Sequence, residues 1–104
     1  MTLTELKTLL ETSDLPVAFD HFPTAQELPY LVYIITNNPT VLADNGVHYM
    51  TPQIQLELYT EYKTEATETI VESILDSVPF TYEKNEGYVN DVQMYMVTYQ
   101  FTLR

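Results

Sequence analysis

A chain of 104 residues, 45% of them hydrophobic, is long enough for one domain with its own core and too apolar to stay disordered. Fifteen acids against four bases leave a net charge of −11, which opposes binding to phosphate backbones and to anionic membrane surfaces. Cysteine is absent, which excludes disulfide frameworks, thiolate metal sites and thiol chemistry.

Thr2 and Glu5 have capping-box spacing, and behind them Leu3, Leu6, Leu9 and Leu10 recur at helical spacing. A first helix is therefore expected near residues 3–13, ending at Ser13-Asp14 before Pro16. Val17 to Phe22 alternates and reads as a short strand; Pro23 to Pro29 reads as a polar connection. Tyr30 to Thr36 is apolar on both faces, as in a strand covered on both sides, here by helix on one side and a neighbouring subunit on the other. Asn37-Asn38-Pro39 and Asp44-Asn45-Gly46 are turn signals.

From Val47 to Tyr62 the pattern predicts an extended segment, with pairing interrupted at Pro52, which has no N–H to give a ladder. Within it Ile54, Leu56 and Leu58 alternate with Gln53, Gln55 and Glu57. A second helix is expected over Thr64 to Ser77, stopped by Pro79. Its apolar stripe is Thr67, Ile70, Val71, Ile74, Leu75 and Val78, and Glu61, Glu65, Glu68, Glu72 and Asp76 form an opposing acidic stripe. Phe80 to Glu83 reads as a short strand and Lys84-Asn85-Glu86-Gly87 as a turn. The last strand, Met94 to Leu103, puts Tyr95, Val97, Tyr99, Phe101 and Leu103 on one face and Met94, Met96, Thr98 and Gln100 on the other. Residues 1–104 thus read as one α+β domain, a mainly antiparallel sheet of four to five strands with two helices packed on one face.

Little of this pattern carries reaction chemistry. His21 and His48 have Asp20 and Asp44 near them, but a metal or general-base site needs three or four converging groups. The acids of the second helix do not form a calcium loop, because carboxylates at i, i+4 point outward in a row. They read as a solvated face, with an anionic channel wall as the functional alternative. The serines lack a nucleophile elbow, and two glycines cannot build a phosphate-cradling loop. The expectation is a non-enzyme with no cofactor and no metal. The N-terminus lacks a signal-peptide pattern and no apolar run approaches membrane-helix length, so the chain is expected to be made and used inside the cell, without a membrane partner.

Met50, Met94 and Met96, beside Tyr49 and Tyr95, read either as a second small core layer or as an oligomer interface on the outer face of the sheet; in the second case the interface residues are Val41, Leu42, Tyr49, Met50, Met94 and Met96.

Three segments in fixed order carry a resemblance: Leu28-Pro29-Tyr30-Leu31-Val32-Tyr33, Ala43-Asp44-Asn45-Gly46-Val47-His48-Tyr49, and Gln55-Leu56-Glu57-Leu58-Tyr59-Thr60 with Lys63. With the leading helix ending in Leu15-Pro16-Val17-Ala18-Phe19, the acidic helix and the closing Tyr95–Phe101 strand, the chain resembles the tail-terminator and tail-completion proteins of long-tailed phages and prophages of Gram-positive hosts. The resemblance implies a virion structural protein at the head-tail joint, forming a ring, typically hexameric, that meets tail-tube and connector proteins. It implies no catalytic residue, and a life in the host cytoplasm during assembly and then in the virion. The rival reading from charge alone is a small acidic adaptor or inhibitor that occupies a basic protein partner.

Overall fold

In the computed structural model, residues 1–37, 40–42, 48–50, 52–78, 80–90 and 93–103 are described, those at 40–42 and 48–50 through their backbone pairing alone. Helix α1 (Leu3–Glu11) starts with the expected capping box. The Thr2 hydroxyl accepts from the Glu5 amide at 3.1 Å, and the Glu5 carboxylate accepts from the Thr2 amide at 3.3 Å. Leu6 and Leu10, one turn apart, are fully buried. The Ser13 amide and hydroxyl both donate to the Leu10 carbonyl, and Asp14 takes a left-handed φ of 64° that turns the chain out of the helix. Asp tolerates that region better than most residues.

The main sheet has the order β1-β2-β5-β7-β6, from strands β1 (Val17–Phe19), β2 (Tyr30–Asn37), β5 (Gln53–Thr60), β6 (Tyr82–Val89) and β7 (Met94–Thr102). Only the β1–β2 pair is parallel; β2–β5, β5–β7 and β6–β7 are antiparallel. Strands β3 (Thr40–Leu42) and β4 (His48–Met50) form a separate antiparallel ribbon. The extended segment expected from Val47 onward is thus divided: β4 ends at Met50 and β5 begins just past Pro52. The turn signals at Asn38-Pro39 and Asp44-Asn45-Gly46, and the stop at Pro79, lie outside the described residues.

Helix α2 (Glu65–Ser77) and α1 cover one face of this sheet. Under them lie Leu31 and Tyr33 of β2, Ile54, Leu56 and Leu58 of β5, and Val97, Tyr99, Phe101 and, just beyond the strand, Leu103 of the β7 segment. This is the α+β architecture expected from the pattern, with the faces of β5 and β7 as the alternation gives them. Burying each leucine of this set is worth about 1.5–3 kcal/mol. Tyr99 is the bulkiest fully buried side chain; its hydroxyl reaches out of the core to donate to Glu72 at 3.0 Å.

Three local expectations are corrected. The first strand stops at Phe19: the Asp20 amide still donates to the Tyr33 carbonyl at 2.9 Å, but its φ of 67° turns the chain away after it. Lys84-Asn85-Glu86-Gly87 is not a turn but the middle of the eight-residue edge strand β6. Its register with β7 turns Lys84 and Glu86 toward α2, where they find charged partners, and an edge strand tolerates the polar residues between them. On α2 the buried face is Val71 and Leu75, with Ile74 partly covered, while Ile70, expected in the apolar stripe, is 45% exposed.

Candidate functional site

Among the described residues no helix covers the opposite face of the sheet. Alternation brings Tyr30, Val32 and Ile34 of β2 to this side, Gln55, Glu57 and Tyr59 of β5, and Met94, Met96, Thr98 and Gln100 of β7. The register sorts them into cross-strand rows. Tyr30, Tyr59 and Met96 lie side by side; next come Val32, Glu57 and Thr98; then Ile34, Gln55 and Gln100. The face therefore grades from aromatic and thioether at one end to amide at the other. On β6, Gly87 stands opposite Met96, and a Cβ there would meet nothing within 4 Å, so the first row is open at the sheet edge.

The connection after β1 walls the aromatic end. The Phe22 ring meets Tyr30 edge-on at 5.2 Å, and Tyr30 lies 5.2 Å from Tyr59. The open groove beside them is about 600 Å³ and is floored by Val32, Glu57, Tyr59 and Met96, with Asp20 and His21 at its rim. A hydrogen-bonded line runs along the outer face of the sheet to this floor. Gln100 donates to Gln55 at 3.0 Å, Gln55 donates to Glu57 at 2.7 Å, and the Tyr59 hydroxyl donates to the other Glu57 oxygen at 2.9 Å. Burial and this bond to a carboxylate push the Tyr59 pKa well above the ordinary tyrosine value, so Tyr59 stays a donor. His21 pairs with Asp20 at 2.7 Å, both side chains largely in water.

On the helix side the acids of α2 do not form one wet stripe. Glu68 has a side chain only 5% exposed, held by Lys63 at 3.1 Å and Lys84 at 2.8 Å. Lys84 also reaches Glu72 at 3.0 Å, and Lys63 reaches Glu86 at 3.1 Å. Glu65 and Asp76 are exposed on α2, as is Glu61 just ahead of it. The expected solvated row thus fails at Glu68 and Glu72. The cause is β6, which brings Lys84 beneath the helix as a strand residue. Hydrogen bonds to Glu68 and then Glu72 raise the Lys84 pKa, and bonds to Glu68 and Glu86 raise that of Lys63. The bond from Lys63, and next one to Tyr95, lower that of Glu86.

Of the six residues expected at an interface, Met94 and Met96 lie half-buried along the outer groove. Val41 pairs with Tyr49, Leu42 with His48 and Thr40 with Met50 in the ribbon, so the topology gathers Val41, Leu42, Tyr49 and Met50 into one small element; their side chains lie outside the described residues. Tyr30, Glu57, Tyr59 and Phe22 complete the groove and were not among the six. Alternation puts Glu57 and Tyr59 on one face, but only the β2–β5 offset sets Tyr30 beside Tyr59. Among the described residues no group of three or more His, Cys, Asp or Glu converges as a metal site would need, and no helix is long and apolar enough to cross a membrane.

Neither a protein-family model nor a curated protein matches the sequence. Among solved structures, the chain is similar to one from the virion of a native gene transfer agent particle, with a TM-score of 0.59 and 12% identity, over 93% of this chain and 81% of that one. At that identity the likeness establishes a shared α+β fold.

Proposed function

We propose that this chain is a structural protein of a phage-type virion, a subunit of the ring that ends the tail and meets the head. The observation that carries the reading is the fold likeness to a virion chain across 93% of this chain, together with the resemblance to tail-completion proteins in the order of the sequence segments. The chemistry agrees. The sheet keeps the aromatic and thioether end of one face free of any described helix, as a part made for assembly needs. Two of the four bases, Lys63 and Lys84, are held by Glu68, Glu72 and Glu86, which leaves twelve of the fifteen acids against two bases on the rest of the chain. An acidic wall lets DNA pass without holding it.

In this reading the partners are further copies of the chain, in a hexameric ring, and the adjoining tail-tube and connector proteins. The ribbon with Val41, Leu42, Tyr49 and Met50, and the groove face with Met94 and Met96, make the contacts. The acids that face water on and near α2, Glu61, Glu65 and Asp76, are the candidates for a channel wall.

Electron microscopy of particles assembled with and without the chain tests the role. Without it, over-long tails or unjoined heads and tails are expected; normal particles would refute the reading. Met96→Asp is expected to fold and to give the same defect. Normal particles from the folded variant would move the contact elsewhere while leaving the role intact.

A further inference from the structure

The outer groove has a carboxylate that an apolar contact through Met94 and Met96 does not use. Glu57 sits at its floor, half-buried, and both groups that donate to its carboxylate, Gln55 and Tyr59, are neutral. Among the described residues no lysine or arginine pairs with it. The lysines of the described residues are all on the helix side: Lys7 on α1, and Lys63 and Lys84 in the network around Glu68. On the outer side the register adds Glu83, opposite Gln100, and the loop adds Asp20 at the rim. Among the described residues this face carries no lysine or arginine, and its histidine, His21, is paired with Asp20 at 2.7 Å.

The walls select which cation fits. Tyr30 and Tyr59 present ring surface beside the carboxylate, Phe22 closes one end, and Met94 and Met96 line the other side. A planar guanidinium stacks on aromatic faces while donating to a carboxylate, and it sheds its water more readily than an ammonium. Methionine adapts to the aliphatic stem. We infer that the groove is a receptor for an arginine side chain, flanked by apolar residues, presented by a different protein. A second copy is a poor occupant, because two of the three described lysines it could offer, Lys63 and Lys84, are already held by Glu68, Glu72 and Glu86.

The test uses the isolated chain and two acetylated, amidated peptides, Leu-Arg-Leu and its citrulline counterpart, which keeps the shape and loses the charge. Binding is followed through the methionine methyl signals by NMR. Because it is read on the isolated chain, the result stands apart from the tail-end reading. The arginine peptide is expected to shift the Met94 and Met96 methyls, and the citrulline peptide to bind about tenfold more weakly or worse. Glu57→Gln should give the same loss with the fold kept, and Glu83→Gln, on the same face outside the groove, should change affinity less than about twofold. Equal binding of the two peptides, equal losses from Glu57→Gln and Glu83→Gln, or no methyl shift would each overturn the assignment. Methyl shifts that follow protein concentration with no peptide present would make the occupant a second copy and overturn it as well.

Discussion

Leu75→Asp is expected to leave the chain unfolded, while Ile70→Asp on the same helix is expected to fold with a change within about 0.5 kcal/mol. The two positions are both apolar, and five residues at 100° each set them about 140° apart around α2. Leu75 is fully buried against Leu56, Tyr99 and the rest of the core, whereas Ile70 is 45% exposed. A carboxylate at Leu75 has no partner and no water, and its charged form is far costlier there than the hydrophobic contact it replaces. Even Leu75→Ala should cost about 2–5 kcal/mol, a large part of the roughly 5–15 kcal/mol that holds a domain of this size. Urea titrations followed by circular dichroism check both. Similar losses at the two positions would mean that α2 lies on the sheet by a different face.

Lys84→Met is expected to cost about 2 kcal/mol, several times the effect of Lys7→Met on exposed α1. Glu68 is the reason. Its carboxylate is buried, and without Lys84 it keeps only Lys63, while Glu72 keeps only the Tyr99 hydroxyl. The loss falls short of that for an unpaired buried charge because Lys63 still compensates. Lys84 also predicts a pH profile. Its pKa is raised in the folded state above the ordinary 10.5, so its contribution is fully present below that value and is lost as pH rises through the folded value. Burial and a bond to Glu72 raise the Tyr99 pKa, which pushes in the same direction. Wild-type stability should therefore fall above about pH 10, and the Lys84→Met protein, already without the lysine term, should fall less steeply over that interval. A loss no larger than that of Lys7→Met, or parallel alkaline slopes, would contradict the placement of Lys84.

Both predictions rest on features that differ in how openly the chain declares them. Local signals suffice for α1, where Thr2 and Glu5 close the capping box three residues apart, and for β7, where nine residues alternate between a core face and an outer face. They fail for Lys84-Asn85-Glu86-Gly87, whose composition is that of a turn. Its extended form depends on Glu68 and Lys63, distant in sequence, and on eight paired positions along β7. Glu68 misleads for the same reason: an acid at i, i+4 spacing from its neighbours looks solvated until a lysine from another strand arrives under the helix. The groove is hidden differently. Each of its residues shows its face through alternation, but the meeting of Tyr30 with Tyr59, and of Tyr59 with Met96, is a matter of strand offset, which alternation leaves open by any even number of residues. Phe22 belongs by its alternation to a strand, and only the turn at Asp20 frees it to lie against Tyr30.

The most direct measurement is immunogold electron microscopy of particles from cells that encode this chain, using antibodies raised against the purified protein. The account predicts label confined to one place on each particle, the junction between head and tail. Label spread along the tail or over the head, or particles with no label while the protein stays free in the lysate, would contradict it.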